Sequence, residues 1–343
     1  MNALTDCRIS LETVAGWRAI ILENDFLQVV LLPDKGADIY RLIHKPSGVD
    51  ILYQSHWGLQ PPGAPPREGS GDLAFQWNYG GGWQELFPSA NHACTYQGRA
   101  IPFHGEVATL GWDYSVDQET AEEVAVVFSV RCRQTPFRVE RRMLLQRGQA
   151  TLYLEETVYN ESTAPAHFVW GHHCVVGAPF LDAGCRLQSP ARLLYTAPAV
   201  YEETARLAPG QREPWPLARL RDGGTVDLQH VPGPEAHSHD GVFLTDLTGG
   251  WVAISNPKLD LTFSLHWDPA VFKWLIVWQP YGGCQTMPLT GIYGLGIEPW
   301  TARHNLEQAV ADGEAIELAG GATFRTALQA TLSRGVYTES MEA

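Results

Sequence analysis

The chain has 343 residues, enough for one large β domain or two smaller ones, and its 24 Lys and Arg against 38 Asp and Glu give a formal net charge of -14. That balance disfavours nucleic acid or an acidic membrane surface as partner. No strongly basic run occurs, Met1–Asp6 has no basic segment leading into an apolar one, and no apolar stretch reaches bilayer length, so a soluble, cytoplasmic protein is expected.

Runs rich in Val, Leu, Thr and aromatics dominate, at residues 17–32, 124–133, 137–145, 151–159, 242–247, 251–255 and 261–267. Several alternate, as in Thr151-Leu-Tyr-Leu-Glu-Glu-Thr-Val-Tyr159, and Gly, Asn, Asp or Pro punctuate them, which predicts antiparallel strands rather than βαβ units. Pro61-Pro-Gly-Ala-Pro-Pro-Arg-Glu-Gly-Ser-Gly71 reads as a long surface loop. The proline-rich stretches 209–216 and 231–234 read likewise as excursions from one sheet system. Helical periodicity is confined to Asn305-Leu-Glu-Gln-Ala-Val-Ala-Asp312, closed by Gly313 as a C-cap. The expected fold is all-β, a large antiparallel β-sandwich forming one domain over residues 1–343. The 6 cysteines are scattered without a Cys-x-x-Cys pair and are expected as free, buried thiols.

Residues able to do chemistry gather in a few segments. In Trp77-Asn-Tyr-Gly-Gly-Gly-Trp-Gln-Glu-Leu-Phe-Pro88, consecutive glycines permit close backbone approach, as in a pocket wall or in a bulge between core aromatics. His104 can donate to a substrate oxygen or rest satisfied in a core. If Val169-Trp-Gly-His-His-Cys174 is a strand, His172 and Cys174 point one way and His173 the other, so at most one of these histidines lines a pocket. His237, His239 and Asp240 form a divalent-metal cluster on paper, although the same residue types suit a loop entering a strand. Gly291-Ile-Tyr-Gly-Leu-Gly-Ile-Glu298-Pro-Trp300 sets one carboxylate in an apolar run. Burying it is costly unless it is paired or has work to do, and a carboxyl with a raised pKa is a common general base. There is no Gly-x-Ser-x-Gly elbow, Walker loop, His-Glu-x-x-His or dinucleotide fingerprint, which ranks redox and phosphoryl transfer low.

Taken in order, Gly-Gly-Trp83-Gln-Glu-Leu-Phe-Pro88, His104-Gly-Glu, Trp-Gly-His-His173 with Gly177-Ala-Pro-Phe-Leu, His-Asp240-Gly-Val-Phe, Val277-Trp-Gln279-Pro-Tyr-Gly-Gly and Gly-Ile-Glu298-Pro-Trp resemble the aldose 1-epimerase (galactose mutarotase-like) family. The resemblance runs from about Trp17 to Leu332. It implies a large antiparallel β-sandwich with an open sugar cleft and a reaction that needs no cofactor. A base removes the anomeric proton, an acid protonates the ring oxygen, the ring opens, and closure after rotation gives the other anomer.

The same resemblance implies Glu298 as base and His173 as acid, with His172 taking that place if the register slips by one residue. His104 and Asp240 would hold sugar hydroxyls, with His104 alternatively on the ring oxygen. Trp83 and Gln279 join the substrate contacts with their motifs, and Trp57, Trp77, Trp278 and Trp300 supply an aromatic wall. Arg41 is the candidate for the arginine that contacts substrate in many members. The Asn-His-x-Tyr context of better-known galactose mutarotases is missing, which leaves the sugar open. The negative net charge disfavours a phosphorylated or sulfonated substrate unless a local arginine reverses it. The expected partner is a monosaccharide or modified sugar, bound by a monomer or homodimer without cofactor or metal. Two other classes stay open: a noncatalytic sugar-binding or sensing protein, and a metal-dependent lyase or hydrolase using His237, His239 and Asp240.

Overall fold

The computed structural model describes residues 6–63 and 72–338, so the expected loop at 61–71 falls outside it from residue 64 onward. Two antiparallel sheets, of twelve and eight strands, hold most of the chain. The Thr151–Asn160 strand shows how the sequence dictates their packing. Leu152, Leu154 and Val158 are buried between the sheets while Tyr153, Glu155 and Thr157 turn outward, the two-residue period of a half-buried strand. Ile20, Leu22, Val242, Val277 and Ile297 of the larger sheet meet Val126, Val139, Leu154, Phe263 and Leu328 of the smaller one in one core. Each such side chain contributes roughly 1.5–3 kcal/mol by leaving water.

Within the larger sheet, six neighbouring strands carry the chemistry: Trp83–Leu86, Gly171–Gly177, Gly294–Trp300, Trp274–Tyr281, Ser238–Leu247 and Ala191–Thr196. The apolar run around Glu298 and the Gly171–Gly177 segment are strands buried on both faces, which is why their alternation is invisible in the sequence.

The helix expected at 305–312 spans Leu306–Asp312. Asn305 caps it by accepting from the Gln308 N–H at 3.1 Å, and Gly313 closes it in the left-handed region at φ 71. All six cysteines are free, four of them buried. Three expectations need correction. Asp72–Asn78 forms a short helix with no periodic signal, held against the sheet by Phe75 and Tyr79. The stretch 209–216 is not merely a loop, because Arg212–Pro214 pairs with Ala191–Thr196 as an edge strand. The strand expected from residue 242 begins at Ser238, so His239 and Asp240 are strand residues with opposite faces.

Candidate functional site

The outer face of five of those strands, all but Trp83–Leu86, lines a cavity of about 940 Å³, within the size range of small-molecule sites. A second concavity, lined by Glu213, Leu217 and Arg219, is smaller at about 210 Å³ and lies on the exposed edge, away from any cluster of acid and base groups. Strand register assembles the larger cavity. Gly171 lies opposite Trp300 and Val175 opposite Gly296, which sets His173 across from Glu298 between them. Ile276 pairs with Glu298 from the other side, and Gln84 pairs with His173.

His173 Nε2 lies 3.8 Å from Glu298 Oε1. Gln84 fixes the ring. Its Nε2 donates to Gly81 O at 2.8 Å and Asp38 Oδ2 at 3.1 Å, so its Oε1 accepts from His173 Nδ1 at 3.3 Å. The proton of neutral His173 therefore sits on Nδ1, and Nε2 presents its lone pair toward Glu298. Burial pushes the His173 pKa down to about 4 and holds the Glu298 carboxyl well above its ordinary value. Burial thus favours the neutral form of both groups, a protonated carboxyl facing the free lone pair of an imidazole, which sets a proton donor and a proton acceptor side by side.

Gly296 is what makes room. A Cβ there would lie 2.5 Å from Glu298 Oε1 and 3.0 Å from Trp278 Cβ, so the carboxyl folds back over a bare backbone two residues earlier on the same face. His104 completes this end. It adopts φ 62, its ring lies tilted 5.3 Å from that of His173 and edge-on 4.8 Å from that of Phe75, and its buried Nδ1 has no partner among the described residues. Burial first, and then the charge of His173, drives its pKa well below the usual histidine value, so it stays neutral.

The other expected site residues turn elsewhere, and in most cases the strand period is the reason. Trp83 and His172 lie between the sheets. Trp83 Nε1 donates to His172 Nδ1 at 3.2 Å, which leaves the opposite ring nitrogen to donate to Glu156 Oε2 at 3.2 Å. Beside them the fully buried Arg141 holds Glu85 at 2.9 Å, and Trp170 Nε1 donates to the same carboxylate at 2.9 Å. Asp240 also points inward, where it accepts from the Arg206 and Leu207 N–H groups and from Arg206 Nε at 2.8–3.0 Å. Gln279, its cross-strand partner, shares that inner face. Arg41 is on the surface, 3.6 Å from Asp50. Among the tryptophans, Trp278 and Trp300 line the cavity.

In two of these strands the neighbour lines the cavity instead, His239 rather than Asp240 and Trp278 rather than Gln279, while Gln84, the neighbour of Trp83, lies buried behind His173. His239 Nδ1 is hydrogen-bonded to Glu202, and its Nε2 accepts from Trp278 Nε1 at 2.8 Å. Burial raises Glu202, but the bonds from His239 and the Gln285 N–H outweigh it and hold the carboxylate below its ordinary range. The alternative of a metal trio at His237, His239 and Asp240 does not assemble, because His237 is an exposed left-handed residue and Asp240 faces inward. His239, Glu202 and Cys284 do converge within 4.8 Å. Both His239 nitrogens are already hydrogen-bonded and burial pushes the Cys284 thiol up to about 12, so this trio has the chemistry of a hydrogen-bonded wall. Glu202 and Tyr201 carried no sequence signal, since they sit in an irregular segment that only the fold brings over Gly241 and His239.

Over residues 14–332 the sequence matches the profile of a family described as a domain of unknown function, DUF4432. The chain belongs to the DUF4432 family. Solved structures place that family's fold. A candidate aldose 1-epimerase from Klebsiella pneumoniae superposes with a TM-score of 0.75 at 16% identity, covering 95% of this chain and 83% of its own. A galactose mutarotase-like protein from Clostridium acetobutylicum gives 0.62 at 15% identity over 96% and 99%. Another from Lactobacillus casei gives 0.59 at 17% over 92% and 100%. At such identities the likeness is one of fold, and this DUF4432 chain has the galactose mutarotase-like β-sandwich. Among its described residues no helix is long and apolar enough to cross a membrane.

Proposed function

We propose that this DUF4432 protein is a cofactor-independent aldose 1-epimerase, interconverting the α and β anomers of a sugar held against the outer face of the larger sheet. The observation that carries this reading is the Glu298–His173 pair, buried, 3.8 Å apart and with burial favouring the neutral form of each group. Mutarotation needs one proton acceptor and one donor at the two oxygens of the anomeric carbon. Glu298 takes the proton of the anomeric hydroxyl and His173 protonates the ring oxygen as the C1–O5 bond breaks. After rotation about C1–C2, the aldehyde is attacked on its other face and both protons return. Because the free pair keeps its proton on Glu298, sugar hydroxyls donating to the carboxylate must first draw that proton across to His173. His104, with its open Nδ1, is placed to accept from one such hydroxyl, and Trp278 and Trp300 wall the ring.

Exchange NMR or polarimetry across a panel of aldoses tests the reading. Anomer exchange should exceed the buffer rate for at least one sugar and should fall on both sides of neutrality. The acid limb lies near the His173 value of about 4, where the pair gains a second proton and has no base. The alkaline limb lies where Glu298 loses the last proton and no acid remains. Exchange at the buffer rate for every sugar, or a rate indifferent to pH, overturns it.

A further inference from the structure

The cavity is cationic at the end away from Glu298. Arg303 and Arg212 both line it, and among the described residues neither forms an ion pair, although Arg206 and Arg219 nearby are paired with Asp240 and Glu213. Arg303 is half-buried. Its guanidinium lies 5.2 Å from the ring centres of both Tyr195 and Trp274, and its buried Nε has no partner. Arg212 Nε donates to Tyr195 Oη at 2.9 Å, and its guanidinium carbon lies 5.9 Å from the same ring centre. The acids of the cavity do not compensate them, since Glu298 stands one rung away beside His173, where burial disfavours its charge, and Glu202 is committed to His239, Gln285 and Thr286. Asp312 and Glu314 act on His304, the next residue along, rather than pairing with Arg303. In a chain of net charge -14, two unpaired arginines at one end of a pocket ask for an anion.

Register supplies the distance. Ile276 pairs with Glu298, and the next rung on the same face pairs Trp274 with Trp300. Such rungs are roughly 7 Å apart, and Arg303 lies over Trp274, so its guanidinium is about one pyranose and its exocyclic group away from the acid–base pair. We infer that the substrate is an aldose bearing an anionic substituent, a carboxylate or phosphate remote from the anomeric carbon, which Arg303 and Arg212 bind while Glu298 and His173 work on C1. The inference deepens the epimerase reading and rests on it for the position of C1.

Two measurements separate the two. Anomer exchange is compared for glucuronate and glucose 6-phosphate against glucose, and binding of the same three is measured by calorimetry. The acidic sugars should exceed glucose in kcat/KM by at least about tenfold, the value of one hydrogen bond to a charged group, with the advantage shrinking as salt rises. The better of the two acids identifies carboxylate or phosphate. Arg303→Met, which keeps packing on Tyr195 and Trp274, and Arg212→Gln on the exposed edge should each reduce the acid-to-neutral ratio about tenfold, with Tm reporting that both variants fold. A wild-type ratio near one, or a ratio unmoved in both variants, overturns the anionic subsite. If no sugar exchanges faster than buffer the epimerase reading falls, and calorimetry then decides the subsite alone: acidic sugars binding no tighter than glucose overturn it.

Discussion

Replacing Glu298 by Gln separates a working carboxyl from a structural one, because the two roles move stability in opposite directions. Burial raises the folded-state pKa of Glu298 well above its ordinary 4.5, so the native protein keeps this carboxyl protonated after the unfolded chain has lost the proton. Below the unfolded value both states hold the proton and the group costs nothing. As pH rises through the window between the two values, the unfolded state is favoured by about 1.4 kcal/mol for each pH unit. Gln has the same shape and no proton to lose. Glu298→Gln should therefore raise Tm relative to wild type, by about 2 °C for each pH unit within that window, and should show no gain below pH 4.5. The same variant should lose about two to four orders of magnitude in anomer exchange, the usual worth of a positioned acid or base. Thermal melts from pH 4 to 8, paired with exchange NMR, read both effects. A Tm gap that stays flat or reverses with pH would mean that Glu298 is ionised and paired in the folded state, and the neutral-pair argument would fall.

Gly296→Ala forces the Glu298 carboxyl aside, since the new Cβ would meet it at 2.5 Å. Exchange should fall about a hundredfold, as expected for a displacement near 1 Å, while the melt shows a loss of roughly 1–3 kcal/mol from overpacking. Gln84→Met removes the acceptor that fixes His173 by its Nδ1. Steady-state kinetics should show kcat down about tenfold with KM little changed, because Gln84 orients the imidazole and touches no sugar. Asp240→Ala strips three hydrogen bonds from Arg206 and Leu207 and leaves a part-buried arginine unpaired. Denaturant unfolding should show a loss of about 3 kcal/mol. A variant with unchanged stability and a raised KM would instead make Asp240 a sugar ligand.

The sandwich was legible because its smaller sheet obeys the two-residue rule. Thr151–Asn160 and Phe137–Gln146 show one apolar face each, and both strands emerge within a residue of the ends read from the sequence. The strands that build the cavity resisted the same reading. Gly171–Gly177, Gly294–Trp300 and most of Trp274–Tyr281 are buried on both faces, the inner one by the second sheet and the outer one by aromatics over the cavity, so their apolar runs carry no period. The Asp72–Asn78 helix is too short to show one.

Alternation sets His172 and His173 on opposite faces and the family motif favours His173; the structure puts His173 over the cavity and His172 against Glu156. Motif matching without alternation chose Trp83, Asp240 and Gln279, and in each case the inward residue of the pair was taken for the outward one. The error has a physical origin. Inward polar residues such as Asp240 are buried, hydrogen-bonded to loop backbone and costly to replace, so they stand out in a motif as strongly as a ligand would. For Asp240 the difference lies in partners already committed: it spends its oxygens on Arg206 and Leu207, whereas His104 Nδ1 and Arg303 Nε line the cavity buried and without a hydrogen bond among the described residues. Burial without a partner costs on the order of 1–3 kcal/mol per group, a cost that a sugar hydroxyl at His104 and an anion at Arg303 would offset on binding.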